Sequence, residues 1–137
     1  MKKKLAITAL TALAVTTMLS SAAHAGTPAN VWVNGEAIGS EVYAVGVGAE
    51  GPVDRVKVNF QVSKGQVITG VRNGTAHCQI ATFAATCELM SGSYPQFFEV
   101  TVRRYEAGPG PFNLTVNAIS SAREWDYADN STVIRSY

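Results

Sequence analysis

Strict alternation of apolar and polar residues marks three segments of the chain as strands with one buried face. In residues 55–62 it sets Val56, Val58, Phe60 and Val62 against Arg55, Lys57, Asn59 and Gln61. In residues 97–104 it sets Phe98, Val100 and Val102 against Glu99, Thr101 and Arg103. In residues 112–118, Phe112, Leu114, Val116 and Ala118 oppose Asn113, Thr115 and Asn117. Weaker strand signals lie at 31–33, 42–47, 67–71, 80–89 (split by a turn near Ala84) and 131–136. Turn chemistry punctuates them at Asn34-Gly35, Glu50-Gly51-Pro52, Lys64-Gly65, Asn73-Gly74, Ser91-Gly92 and Gly108-Pro109-Gly110-Pro111. Beyond the N-terminal apolar run no segment keeps a helical period. Short strands with turns every ~8–12 residues predict an all-β sandwich of about seven strands. A small outer-membrane barrel is the rival, disfavoured by short strands and too few aromatics for interfacial girdles.

The N-terminus reads as an address. Lys2, Lys3 and Lys4 form a basic stretch, residues 5–19 an apolar run, and Ala23-His24-Ala25 a small-x-small cleavage site. The run is short for a membrane-spanning helix, which needs about 20 apolar residues. Residues 1–25 are therefore expected to be a cleaved signal peptide, with a secreted or periplasmic product and no membrane anchor. Removing those 25 from 137 residues leaves 112, residues 26–137, enough for one two-layer domain. All ten acids stay while three of eleven bases leave, so the formal charge becomes 8 minus 10, or −2. A nucleic-acid surface needs clustered Lys and Arg, so that class of partner is excluded.

Two cysteines, Cys78 and Cys87, in a chain bound for an oxidising compartment predict a disulfide with a structural role. Closing so short a loop is worth about 2.7 kcal/mol in the chain-entropy picture.

Three stretches also resemble a family. "GAEGPVDRVKVNFQVSKGQVITGV", "TAHCQIATFAATCELMSGSYPQFFEVTV" and "LTVNAISSAREWDYADNSTVI" resemble, in order, successive parts of the bacterial surface-repeat domain of unknown function number eleven. The closing pattern is shared with the related cell-adhesion-related domain found in bacteria. The resemblance covers nearly all of residues 26–137 and implies an immunoglobulin-like sandwich from an exported or surface protein. The chain departs from the pattern in holding one copy, in carrying Asn130-Ser131 for a paired Asn, and in placing Trp125 and Tyr127 where small residues or Pro are common.

Catalytic chemistry finds little support. Ser-His-Asp catalysis needs a His, and residues 26–137 hold only His77, beside Cys78. A zinc site would have to use that His and cysteines already paired. Glu124, Asp126 and Asp129 crowd one loop rather than facing each other across a sugar cleft. No enzyme activity, cofactor or dedicated metal is expected. Asp126, Asp129 and Asn130 are weak calcium candidates, hard oxygen ligands without EF-hand spacing, and are read first as Asx residues closing a turn. Arg123, Trp125 and Tyr127 are the candidate ligand-binding residues, because aromatic faces beside a guanidinium stack on sugars or anchor protein partners. Three sequons, at Asn73, Asn113 and Asn130, are read as chance in a chain of bacterial character. The expected function is a secreted, non-enzymatic module that binds protein or glycan at the cell envelope. The alternatives are assembly through an edge strand such as the last one, or weak calcium binding.

Overall fold

A computed structural model describes residues 29–90, 93–106, 111–121 and 127–137. The signal peptide expected at 1–25 lies outside these residues, as do the turn glycines at 92, 108 and 110.

Nine strands run in chain order: β1 (Asn30–Gly39), β2 (Val42–Glu50), β3 (Arg55–Val62), β4 (Gln66–Arg72), β5 (His77–Ile80), β6 (Ala84–Met90), β7 (Gln96–Arg104), β8 (Phe112–Ser120) and β9 (Ser131–Ser136). They form two sheets, a four-stranded one in the order β1-β2-β7-β4 and a five-stranded one in the order β5-β6-β3-β8-β9. All pairings within them are antiparallel. The architecture is an immunoglobulin-like β-sandwich. Nine strands replace the expected seven because residues 77–80 pair with β6 as a separate short strand and the weak signals all become full ladders.

The alternation fixes which residues face inward. Val56, Val58, Phe60 and Val62 of β3, Phe98, Val100 and Val102 of β7, and Phe112, Leu114, Val116 and Ala118 of β8 are all buried. Together with Val31, Val33, Tyr43, Val45, Val47 and Ile134, most of these make one contiguous core between the sheets. Each such Val, Leu or Phe gains about 1.5–3 kcal/mol from leaving water. Phe60 and Phe98 meet edge to face across the layer, with ring centroids 5.4 Å apart. Tyr43 is the largest fully buried side chain among the described residues; its hydroxyl donates to Gln66 Oε1 at 2.8 Å, and Gln66 Nε2 donates to the Asn113 carbonyl at 3.0 Å. Burial pushes the Tyr43 phenol above its ordinary value, against smaller lowering effects from Gln66 and Arg104.

Asn34-Gly35 is not the turn its dipeptide suggests. β1 runs straight through it and turns at Ser40 and Glu41. Gly35 stands there for space, since a Cβ would overlap the Ala44 carbonyl and Ile134 Cδ1. The close approach lets β1, the edge of one sheet, lie against β9, the edge of the other. Val33 N donates to the Asp129 carbonyl at 3.0 Å and Ser136 Oγ to the Gly39 carbonyl at 3.2 Å, closing this side of the sandwich. The opposite side is held by the β5–β6 hairpin. Cys78 and Cys87 are directly opposed there and joined by a disulfide, and the hairpin's Thr82 carbonyl accepts from Ile68 N of β4.

Candidate functional site

The loop singled out from the sequence is described only from Tyr127 onward; Arg123, Trp125 and Asp126 lie outside the described residues. Tyr127 is 66% exposed, as a contact residue must be. Asp129 and Asn130 sit differently. The Asp129 carbonyl holds Val33 N of β1, one Asp129 carboxylate oxygen accepts from Asn30 Nδ2 at 3.1 Å, and the Asn130 carbonyl accepts from Ala118 N at 2.8 Å. Asn130 N returns to the Tyr127 carbonyl at 3.3 Å. This turn therefore ties β8 and β9 to the start of β1, through main-chain bonds and the one side-chain bond from Asn30.

The other chemical candidates are equally plain. His77 is exposed at the start of β5, in register with Glu88, which is in register with Lys57. The three border an open hollow of about 410 Å³ with Gln79 and Thr86, and the Thr86 hydroxyl is spent donating to Asn59 Oδ1 at 2.9 Å. Among the described residues no three His, Cys, Asp or Glu side chains gather as metal ligands. At the Asn73 sequon the amide is already used. Asn73 Nδ2 donates to the Phe97 carbonyl at 2.8 Å, and Asn73 Oδ1 accepts from Thr75 N and Ala76 N at 2.8 and 2.9 Å.

A different surface stands out on the outer face of the four-stranded sheet. On β2, Ala44, Gly46 and Gly48 point outward between Val42 and Glu50 and alternate with the core residues Tyr43, Val45 and Val47; the two glycines are themselves buried beneath neighbouring side chains. β1 stands beside it with Trp32, Asn34 and Glu36, in register with Gly48, Gly46 and Ala44. On the far side β7 places Phe97 opposite Gly46 and Glu99 opposite Ala44. A stripe of small residues is thus flanked by tall side chains, which makes a trench along β2. The Trp32 indole lies across Gly48 so closely that any Cβ there would collide with it. A Cβ on Gly46 would come within 2.8 Å of Asn34 Oδ1 and 3.6 Å of the Phe97 ring. Around Gly46 the trench deepens to an open hollow of about 330 Å³ lined by Asn34, Gly35, Glu36, Ala44, Phe97 and neighbouring backbone.

Phe97 is 68% exposed, unusual for a ring on a sheet face. Glu99 beside it is paired with Arg72 of β4. The two sites share a strand: residues 30–33 of β1 carry Trp32 on the outer face and receive the Tyr127–Asn130 turn at Val33. Sequence reading missed the trench. Its signals were Phe97 falling on the polar side of its own alternation, and small residues at three successive outward positions of β2, Ala44, Gly46 and Gly48.

No known family profile matches the chain, and no curated protein matches it in sequence. In fold it is similar to a solved bacterial domain, the collagen-binding domain from a Staphylococcus aureus adhesin. The TM-score is 0.50 at 8% identity, over 77% of this chain and 97% of that one. So distant a likeness speaks for shared architecture alone. A bacterial adhesin domain has this fold, and that domain is a binding module rather than an enzyme.

Proposed function

We propose that this protein is an exported, non-enzymatic adhesion module whose trench along β2 receives an extended segment of an extracellular protein. The observation that carries the reading is the trench itself: an open hollow over Ala44 and Gly46 between Asn34 and Glu36 on one wall and Phe97 on the other, closed toward Gly48 by the Trp32 indole. An extended ligand laid along a strand direction meets the floor's backbone closely, and the two aromatics supply the anchoring contacts that dominate binding energy at protein interfaces. Likeness of fold to a collagen-binding adhesin domain supports a protein ligand. The disulfide agrees with an oxidising, extracytoplasmic setting. Tyr127, at the head of the turn bonded to β1 beside Trp32, offers a second contact, and Arg123 and Trp125 precede it in the sequence. The resemblance to the surface-repeat family fits the same setting.

The test is binding to immobilised collagen, to a panel of other extracellular proteins and to a glycan array. Wild type runs beside Ala44→Phe, which fills the trench, Phe97→Ala, which removes one wall, and Trp125→Ala/Tyr127→Ala. Variants are first shown to melt with the wild type. Loss in the two trench variants, with partial loss in the loop variant, is the expected result. Loss in the loop variant alone moves the site to residues 123–127. Binding unchanged in all three removes both surfaces.

A further inference from the structure

The junction of β1 with the β8–β9 turn holds an imbalance of charge and hydrogen bonding. Asn30 is the first residue of β1 and only 8% exposed. Its Nδ2 donates to Asp129 Oδ2 at 3.1 Å. The other oxygen of each group, Asn30 Oδ1 and Asp129 Oδ1, is buried and has no hydrogen-bond partner among the described residues. Buried acceptors in native folds are almost always satisfied, because an unmet one has lost its water without replacement. Flipping the Asn30 amide does not help, since it would turn an oxygen toward Asp129 Oδ2. Two acceptors on neighbouring groups, one of them on a carboxylate, can be served together by a single cation.

We infer that Asn30 and Asp129 hold a calcium ion that fastens the start of β1 to the turn before β9. Both ligands are hard oxygens, one anionic and one neutral, of the kind calcium takes in its flexible coordination shell; water and main-chain carbonyls complete the sphere. With a single carboxylate among the described residues the site is weak, in the roughly 10⁻⁴–10⁻³ M range of extracellular modules. Such a site fills outside the cell and empties where calcium is scarce. Asn30 is far from the turn in sequence, which is why no motif announces it. The inference is independent of what the β2 trench binds.

The experiment follows thermal melting of the protein in 0 to 10 mM calcium chloride, with magnesium chloride and matched sodium chloride as controls, beside a calorimetric titration of calcium into the wild type. A dissociation constant of about 1 mM raises the folded-to-unfolded ratio about elevenfold at 10 mM calcium. The wild type should therefore melt several degrees higher with calcium and hardly respond to sodium. Asp129→Asn should lose the response. Asn30→Asp, which sets a second carboxylate beside the first, should melt lower without calcium and gain more than wild type with it. If Asp129→Asn does not fold, Asn30→Asp and the wild-type titration still decide. No response in wild type and in Asn30→Asp, or an equal response in Asp129→Asn, overturns the site.

Discussion

The two outer faces of the sandwich are built from the same kind of ladder and end in opposite states. On the five-stranded sheet Gln79, Thr86, Asn59, Asn117 and Ser131 fall on one line across all five strands. Neighbours within the line bond to each other: Thr86 Oγ1 donates to Asn59 Oδ1 at 2.9 Å, and Asn59 Nδ2 to Asn117 Oδ1 at 3.3 Å. These polar side chains make a flat, self-bonded band on a face that also exposes Met90, Ile119 and Val133. On the four-stranded sheet the outward side chains differ in height, from Trp32 and Phe97 to bare glycine, and relief replaces flatness. A sheet face becomes a binding surface through contrast in side-chain size more than through polarity.

The largest effect expected separates stability from recognition. Replacing Cys78 and Cys87 together by Ala should cost about 2–3 kcal/mol of stability, by the loop-closure argument. The bond lies between β5 and β6, away from the trench, so ligand affinity at a temperature where both proteins are folded should be unchanged. Denaturant midpoints and binding isotherms measure the two quantities, and a parallel fall in affinity would mean that the faces are mechanically coupled.

A smaller effect is expected from the buried polar end of the core. Tyr43→Phe leaves Gln66 Oε1 without its donor and should cost about 1–3 kcal/mol. The phenol also gives a signed pH dependence. Its pKa is raised in the folded state by burial, so unfolding favours the phenolate, and stability is full below about pH 10 and falls as pH rises beyond it. Melting curves from pH 8 to 11 should show a decline above pH 10 that is shallower in Tyr43→Phe. A decline of equal steepness in both would assign it elsewhere, for example to Tyr94, whose phenol burial also raises.

The smallest effect tests the flat face. Asn117→Ala removes one member of a half-buried polar chain and should change stability by no more than about 1 kcal/mol and ligand binding not at all. Loss of binding there would reverse the assignment of the two faces.

Much of the fold was legible because a strand with one buried face writes its structure into a period of two. The buried sets of β3, β7 and β8 follow directly from alternation. Asn34-Gly35 misled because a glycine required for space looks the same in sequence as one required for a turn; the neighbour that demands it, Ile134, is almost a hundred residues away. The candidate site was less legible for a related reason. A loop dense in Trp, Tyr and acids stands out locally, whereas Trp32 and Phe97 belong to one surface only after β1, β2 and β7 have paired. Asn30 meets Asp129 across 99 positions. Local composition cannot report such neighbours.

The glycines of β2 have one further consequence. A floor made of main chain has no side-chain rotamers to freeze when a ligand arrives, and the flanking pleat is already held by ladders on both sides. Ordering a flexible side chain at an interface costs about 0.5–1.5 kcal/mol, so a floor that needs none starts from a lower entropic penalty than a loop of similar area. On the proposed reading, recognition along β2 would draw on order that folding has already supplied.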